Sequence, residues 1–136
     1  MPCELCDTAG GELIWQDDRC RVVLVDEAGY PGFCRVIWRQ HVKEMTDLGE
    51  ADRAHVMRIA FAVEAALREL MRPDKINLAS LGNVVPHLHW HVIPRFADDP
   101  AFPAPIWATP KRGAPARRGP DTKIIKLALE RRLQTP

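Results

Sequence analysis

Three of the chain's five histidines, His87, His89 and His91, stand at alternate positions in "VVPHLHWHVIPR" (84–95). Imidazole changes charge near neutrality and can attack an electrophile, move a proton or bind a metal. Leu88, Trp90, Val92 and Ile93 are aliphatic, aromatic or β-branched, so the segment reads as a strand. Strand side chains alternate between faces, which puts the three histidines on one side, spaced roughly 6.5–7 Å apart. Pro86 and Pro94 bracket the run and fit a short or edge strand. Three uses follow: a three-histidine metal site, nucleophilic attack on phosphorus, or a polar strand face in water. Against the first, the outer pair lie roughly 13 Å apart at the backbone, too far to converge easily on one ion.

A second chemical signal is Cys3-x-x-Cys6, which reads as metal-binding or redox. Cys20 and Cys34 fall inside apolar segments and read as small core residues. No secretory leader opens the chain and no apolar run reaches a membrane span, so a disulfide framework and a membrane are not expected and the cytoplasm is. The net charge of +1 hides an asymmetry. From Lys111 onward there are eight bases and two acids, a net of +6, against −5 for the rest (eleven bases, sixteen acids). Such a tail could attract nucleic acid or acidic partners, or simply be solvated; the second reading is preferred.

The elements that would position these groups follow from periodicity. "GELIWQ" (11–16), "CRVVLVD" (20–26), "FCRVIWR" (33–39) and "KINLASLG" (75–82) read as strands, and the histidine segment as a fifth. Between the third and fourth strands, Val56, Ile59, Ala60, Val63, Ala66, Leu67, Leu70 and Met71 recur at helical spacing. This predicts a helix beginning at Thr46 or Asp47 and ending near Arg72, before Pro73. Residues 98–121 read as irregular and partly mobile, and 121–134 as a terminal helix capped by Asp121 or Thr122. His55 is expected on the surface of the long helix, and Trp15, Trp38 and Trp90 in the core. The predicted architecture is α+β: an antiparallel sheet of about five strands with one long helix packed on it. The chain divides into a domain over 1–108 and a basic extension over 109–136.

"HLHWHVIPR" resembles the His-φ-His-φ-His-φ-φ signature of the histidine triad (HIT) family of nucleotide hydrolases and transferases. "VVLVDEAGYPGFCRVIWRQHVKEMTDL" (22–48) and "INLASLGNVVPH" (76–87) resemble that family's approach segments. The resemblance implies a HIT fold and a homodimer. It implies that His89 attacks the α-phosphorus of a nucleotide and carries the nucleotidyl group, with His91 at the phosphate and the leaving group. Asp26 would meet the ribose; Asn77, Asn83 and Val85 would line the phosphate site. Purine nucleotides are the implied substrate class, with phosphoramidates and dinucleoside polyphosphates both open. Some bacterial members also suggest a structural zinc on Cys3, Cys6, His41 and His87. Trp107, after the triad, could reach the active site or a partner subunit. Asn83 stands where many members carry glutamine, and "GYPGFCR" where many carry Gly-His, two departures from the family's pattern. Two rivals remain: a nucleotide-binding regulatory protein with little turnover, and a metalloenzyme with catalytic zinc on the triad.

Overall fold

Five strands, β1 (Glu12–Gln16), β2 (Cys20–Leu24), β3 (Cys34–Trp38), β4 (Lys75–Ala79) and β5 (His89–Arg95), form one antiparallel sheet. Their order is β1-β2-β3-β5-β4. The structure is a computed structural model that describes residues 2–134. Met1, Thr135 and Pro136, at the outer ends of the two segments expected over 1–108 and 109–136, lie outside the described residues.

Alternation gives each face of the sheet its own cover. Cys20, Val22, Cys34, Val36, Trp38 and Val92 point to one side and pack under α2 (Glu50–Met71). The helix presents Val56, Ile59, Ala60, Val63, Ala66 and Leu67, all fully buried, while Leu70 and Met71, the last two residues of the expected stripe, are half-buried. On the opposite side, Val23 and Ile37 pack against Leu5 of a short N-terminal helix, α1 (Glu4–Asp7). Phe33 and Ile93 meet Tyr30 and Ile106 there. Both faces are therefore buried, which the sequence pattern had not required.

The long helix starts later than expected. Asp47 accepts hydrogen bonds from the backbone of Lys43 and Glu44 and so closes a 3-10 turn, Met45–Asp47. The chain then extends through Leu48, which is buried, and α2 begins after Gly49. At its other end Arg72 leaves the helix in a left-handed conformation (φ 49°), because Pro73 disfavours a helical predecessor. The loop from β2 to β3 turns at Gly32 (φ 81°), where a Cβ would strike the Met71 sulfur.

Residues 98–121 contain no helix or strand, as expected, but are tied down. Arg95, only 1% exposed, donates to Asp99 through Nε (2.7 Å) and Nη2 (3.0 Å) and to the Ala104 carbonyl (2.7 Å). Arg112 donates to the Asp99 and Phe102 carbonyls, and Arg117 bonds Asp98 while stacking on Phe96 at 3.7 Å. Two of the basic residues read as solvated thus fasten this segment. The chain then enters α3 (Thr122–Leu133), capped by Asp121, whose carboxylate accepts from the Ile124 amide. Ile125 and Leu129 of α3 belong to the same core as α2. No helix among the described residues is long and apolar enough to cross a membrane.

Candidate functional site

The strand that carries the histidines is shorter than expected: the ladder begins at His89, paired with Ile37, and His87 lies just before it. Pro86 has no amide to donate, and residues 80–88 run outside the ladder. The row accordingly divides. His87 turns toward His41, with ring centroids 5.2 Å apart, while His89 and His91 meet edge to face at 4.9 Å. All three are buried (0, 7 and 5% exposed), which removes the reading of a polar face in water.

Backbone carbonyls fix the protons of two rings. His89 Nδ1 lies 2.5 Å from the His87 carbonyl oxygen. A carbonyl can only accept, so Nδ1 carries the proton and neutral His89 keeps its lone pair on Nε2. His87 Nε2 lies 2.6 Å from the Trp38 carbonyl, which by the same reasoning leaves the His87 lone pair on Nδ1. Burial holds His87 and His89 below the ordinary histidine pKa, and the Arg35 charge lowers His89 further. Burial, then His89 and Arg35, push His91 down to about 4.

The free Nδ1 of His87 faces Cys3 Sγ (3.4 Å), Cys6 Sγ (3.5 Å) and His41 Nδ1 (3.3 Å). Cys6 Sγ and His41 Nδ1 are 3.5 Å apart, and all four ligand-type atoms lie within 4.8 Å of one another. Tetrahedral zinc with Zn–N near 2.05 Å and Zn–S near 2.3 Å would separate its ligands by roughly 3.3–3.8 Å. The donor set and its spacing therefore fit a metal ion. The Trp38 carbonyl orients His87 from behind in the manner usual for a metal-binding imidazole.

His89 and His91 open onto a cavity of about 520 Å³, within the usual size of a small-ligand site. Asn83, Val85 and Gly82, in the loop before the triad, line one wall. Trp107 closes the site against His91, centroid to centroid 5.1 Å, so it does reach the histidines. Two further lining residues, Glu4 and Arg35, escaped the sequence reading. Arg35 alternates with the apolar residues of β3 and sits directly across the ladder from His91. The alternation was visible; the register that aims it at His91 was not.

Two expected substrate contacts are not brought to this cavity. Asp26 is exposed and lines a separate cleft of about 370 Å³ with Glu12, Glu27 and Tyr30. Its neighbour Val25 packs on the histidine side, against the Tyr30–Phe33–Ile93 cluster. Asn77 lines an adjoining cavity of about 590 Å³, and its carbonyl oxygen accepts from Arg95 Nη1 at 2.8 Å.

His55, expected at the surface, is instead half of a clasp. Its Nε2 donates to Asp17 Oδ2 (2.7 Å), and its Nδ1 accepts from Arg19 Nη2 (3.1 Å). Asp17 Oδ1 takes the Arg19 and Cys20 amides, both at 2.8 Å. Asp17, Cys20 and His55 make a second cluster of ligand-type side chains. Burial pushes the Cys20 thiol up to about 12, and Cys34, also buried, likewise to about 12.

The HIT domain profile matches residues 8–98, which is 91 of 136 positions. A crystal structure of a histidine triad protein from Bradyrhizobium japonicum is 31% identical, covers 89% of this chain and 90% of its own, and superposes with a TM-score of 0.69. A Zn-bound histidine triad family protein from Mycobacterium smegmatis is 23% identical, with 96% and 95% coverage and a TM-score of 0.65, a likeness of fold. AP-4-A phosphorylase of Mycobacterium tuberculosis is 28% identical over 78 residues, 53% of this chain. The match spans only 40% of that enzyme's length. The chain belongs to the HIT family.

Proposed function

We propose that the protein is a nucleotide hydrolase or nucleotidyl transferase working through a covalent nucleotidyl-His89 intermediate. The observation that carries this is the His89 Nδ1–His87 carbonyl bond, which leaves a neutral, oriented Nε2 lone pair beside an open cavity. Nε2 forms a bond to the α-phosphorus as the bond from phosphorus to the leaving group breaks, and the electron pair departs with that group. His91, in edge contact with His89, attends the phosphate and the leaving group. Water then attacks the same phosphorus, freeing His89 and a nucleoside monophosphate. Asn83 and Val85 hold the phosphate from the facing loop, with backbone amides as donors. The similarity to AP-4-A phosphorylase supports a purine nucleotide substrate, either a phosphoramidate or a dinucleoside polyphosphate.

Cys3, Cys6, His41 and His87 hold zinc in this proposal. The ion is structural, because four protein ligands leave no open position for water. It would fasten the N-terminal segment to the sheet and steady the backbone leading into His89. Two copies would associate through the open outer edge of β4, the sheet's last strand.

A second reading is a nucleotide-binding regulatory protein with little turnover. What favours it is the placement of Asp26 away from the histidines and the engagement of Asn77 by Arg95. Intact mass after rapid mixing with adenosine phosphoramidate, and separately with diadenosine tetraphosphate, decides between them. An adenylyl adduct that forms and decays in wild type but not in His89→Ala is the expected result. Nucleotide binding with neither adduct nor product would establish the regulatory reading.

A further inference from the structure

Arg35 has more hydrogen-bonding capacity than the protein satisfies. A guanidinium offers five N–H donors in a rigid fork and stays charged. Arg35 Nη1 donates to the Gly10 carbonyl at 3.2 Å, and the guanidinium carbon lies 5.7 Å from the Phe33 ring centroid. Its Nε is shut off from water with no acceptor, and so is Nδ1 of His91, its cross-strand neighbour. Among the described ion pairs, none involves Arg35. A cation with spare donors, beside two imidazoles in a concave site and in none of the described ion pairs, is placed to take an anionic ligand. Gly10 explains one of its bonds; a purely structural role leaves the others unused.

We propose that Arg35 is a catalytic residue that binds the nonbridging oxygens of the phosphate group accepted by His89. The proposal rests on the nucleotidyl-transfer reading and adds to it the residue that supplies positive charge. Arg35 faces His91 across the ladder and lines the same cavity as His89. As the bond from phosphorus to Nε2 forms and the leaving group departs with its electron pair, charge on the equatorial oxygens is met by the guanidinium. No proton passes through Arg35.

The test compares wild type, Arg35→Gln and Arg35→Lys in two assays. Calorimetric affinities for AMP and for adenosine isolate phosphate recognition without turnover. In Arg35→Gln the preference for AMP over adenosine should fall by about tenfold or more, and Arg35→Lys should recover part of it. In the same variant kcat/KM for adenosine phosphoramidate and for diadenosine tetraphosphate should drop together, by roughly 10²–10³-fold. An unchanged AMP preference overturns the proposal, as does a lysine variant no better than glutamine. A loss confined to diadenosine tetraphosphate also overturns it, since Arg35 would then serve the leaving group. The two proposals fail separately. If wild type turns over neither substrate yet prefers AMP through Arg35, nucleotidyl transfer is wrong and the phosphate contact stands. If turnover is robust and the AMP preference ignores Arg35, the reverse holds.

Discussion

The described residues hold two clusters of metal-ligand side chains, and they are built in opposite ways. In the Asp17–Cys20–His55 clasp, lone pairs are spent inside the protein. Both carboxylate oxygens of Asp17 accept hydrogen bonds, His55 Nδ1 accepts from Arg19, and Cys20 is held as a thiol by burial. In the Cys3–Cys6–His41–His87 cluster, the Trp38 carbonyl consumes the one proton of neutral His87 and turns its lone pair inward toward two sulfurs and a second imidazole. Ligand-type residues at ligand-like distances are thus not enough. What separates a clasp from a metal centre is whether the lone pairs converge or are already used.

The comparison can be broken most directly by counting metal. Elemental analysis of the purified protein should find one zinc per chain, and Cys6→Ala should find none. Loss of that metal should cost several kcal/mol and lower the thermal midpoint by roughly 10 °C or more, read by calorimetry. Two zinc ions per chain, with the second lost in His55→Ala, would mean that the clasp is also a metal centre.

Thiol reactivity sharpens the same contrast. After chelation, a chromogenic disulfide reagent should titrate two thiols quickly, Cys3 and Cys6, at the edge of the fold. Cys20 and Cys34, with thiols pushed up to about 12, should lag by about a thousandfold until the protein unfolds. A third fast thiol that disappears in Cys20→Ala would show the clasp to be open.

His55→Ala should leave the metal count at one and cost about 1–3 kcal/mol, because it strips Asp17 Oδ2 of its partner. Denaturant unfolding measures this, and a change near zero would show that the clasp contributes little to stability.

The smallest effect is the clasp's pH dependence. Burial raises the Asp17 carboxyl, but bonds from the Cys20 and Arg19 amides and from His55 outweigh it and hold the group below its ordinary value. The folded state therefore binds this proton less readily than the unfolded chain does. Its contribution is complete above the unfolded pKa of about 3.9 and is lost as pH falls through the lower folded value. Asp17→Asn should flatten stability against pH in that acid window and lower it near neutrality, where the carboxylate's contribution is complete. An identical acid slope in both proteins would remove the clasp as its source.

Much of this was legible in the sequence, for identifiable reasons. Short β-branched and apolar runs between turn residues marked five strands, and a 3.6-residue apolar stripe marked a long helix, because both are patterns over a few neighbouring residues. The spacing of His87, His89 and His91, with its flanking segments, carried the family. The errors have local causes as well. Asp47 looked like the cap of the long helix, but it is the last residue of a 3-10 turn capped by Glu44, and its carboxylate accepts from the Glu44 amide. His55 looked exposed because its partners, Asp17 and Arg19, lie 38 and 36 residues away. The setting of Asn77 was not legible either, because nothing in the sequence shows that Arg95 Nη1 ends on its carbonyl oxygen.

The sequence by itself determined which residue types could do chemistry and which segments were strands, since both depend on composition and period over a few residues. It also identified the family, on motifs that span much of the chain. Only the tertiary structure decided what each group could do. The pairing of β3 with β5 sets Arg35 opposite His91. The carbonyls of Trp38 and His87 dictate which nitrogen of each facing imidazole keeps its lone pair. Direction and register are properties of strands brought together, and a periodic pattern along one strand does not contain them.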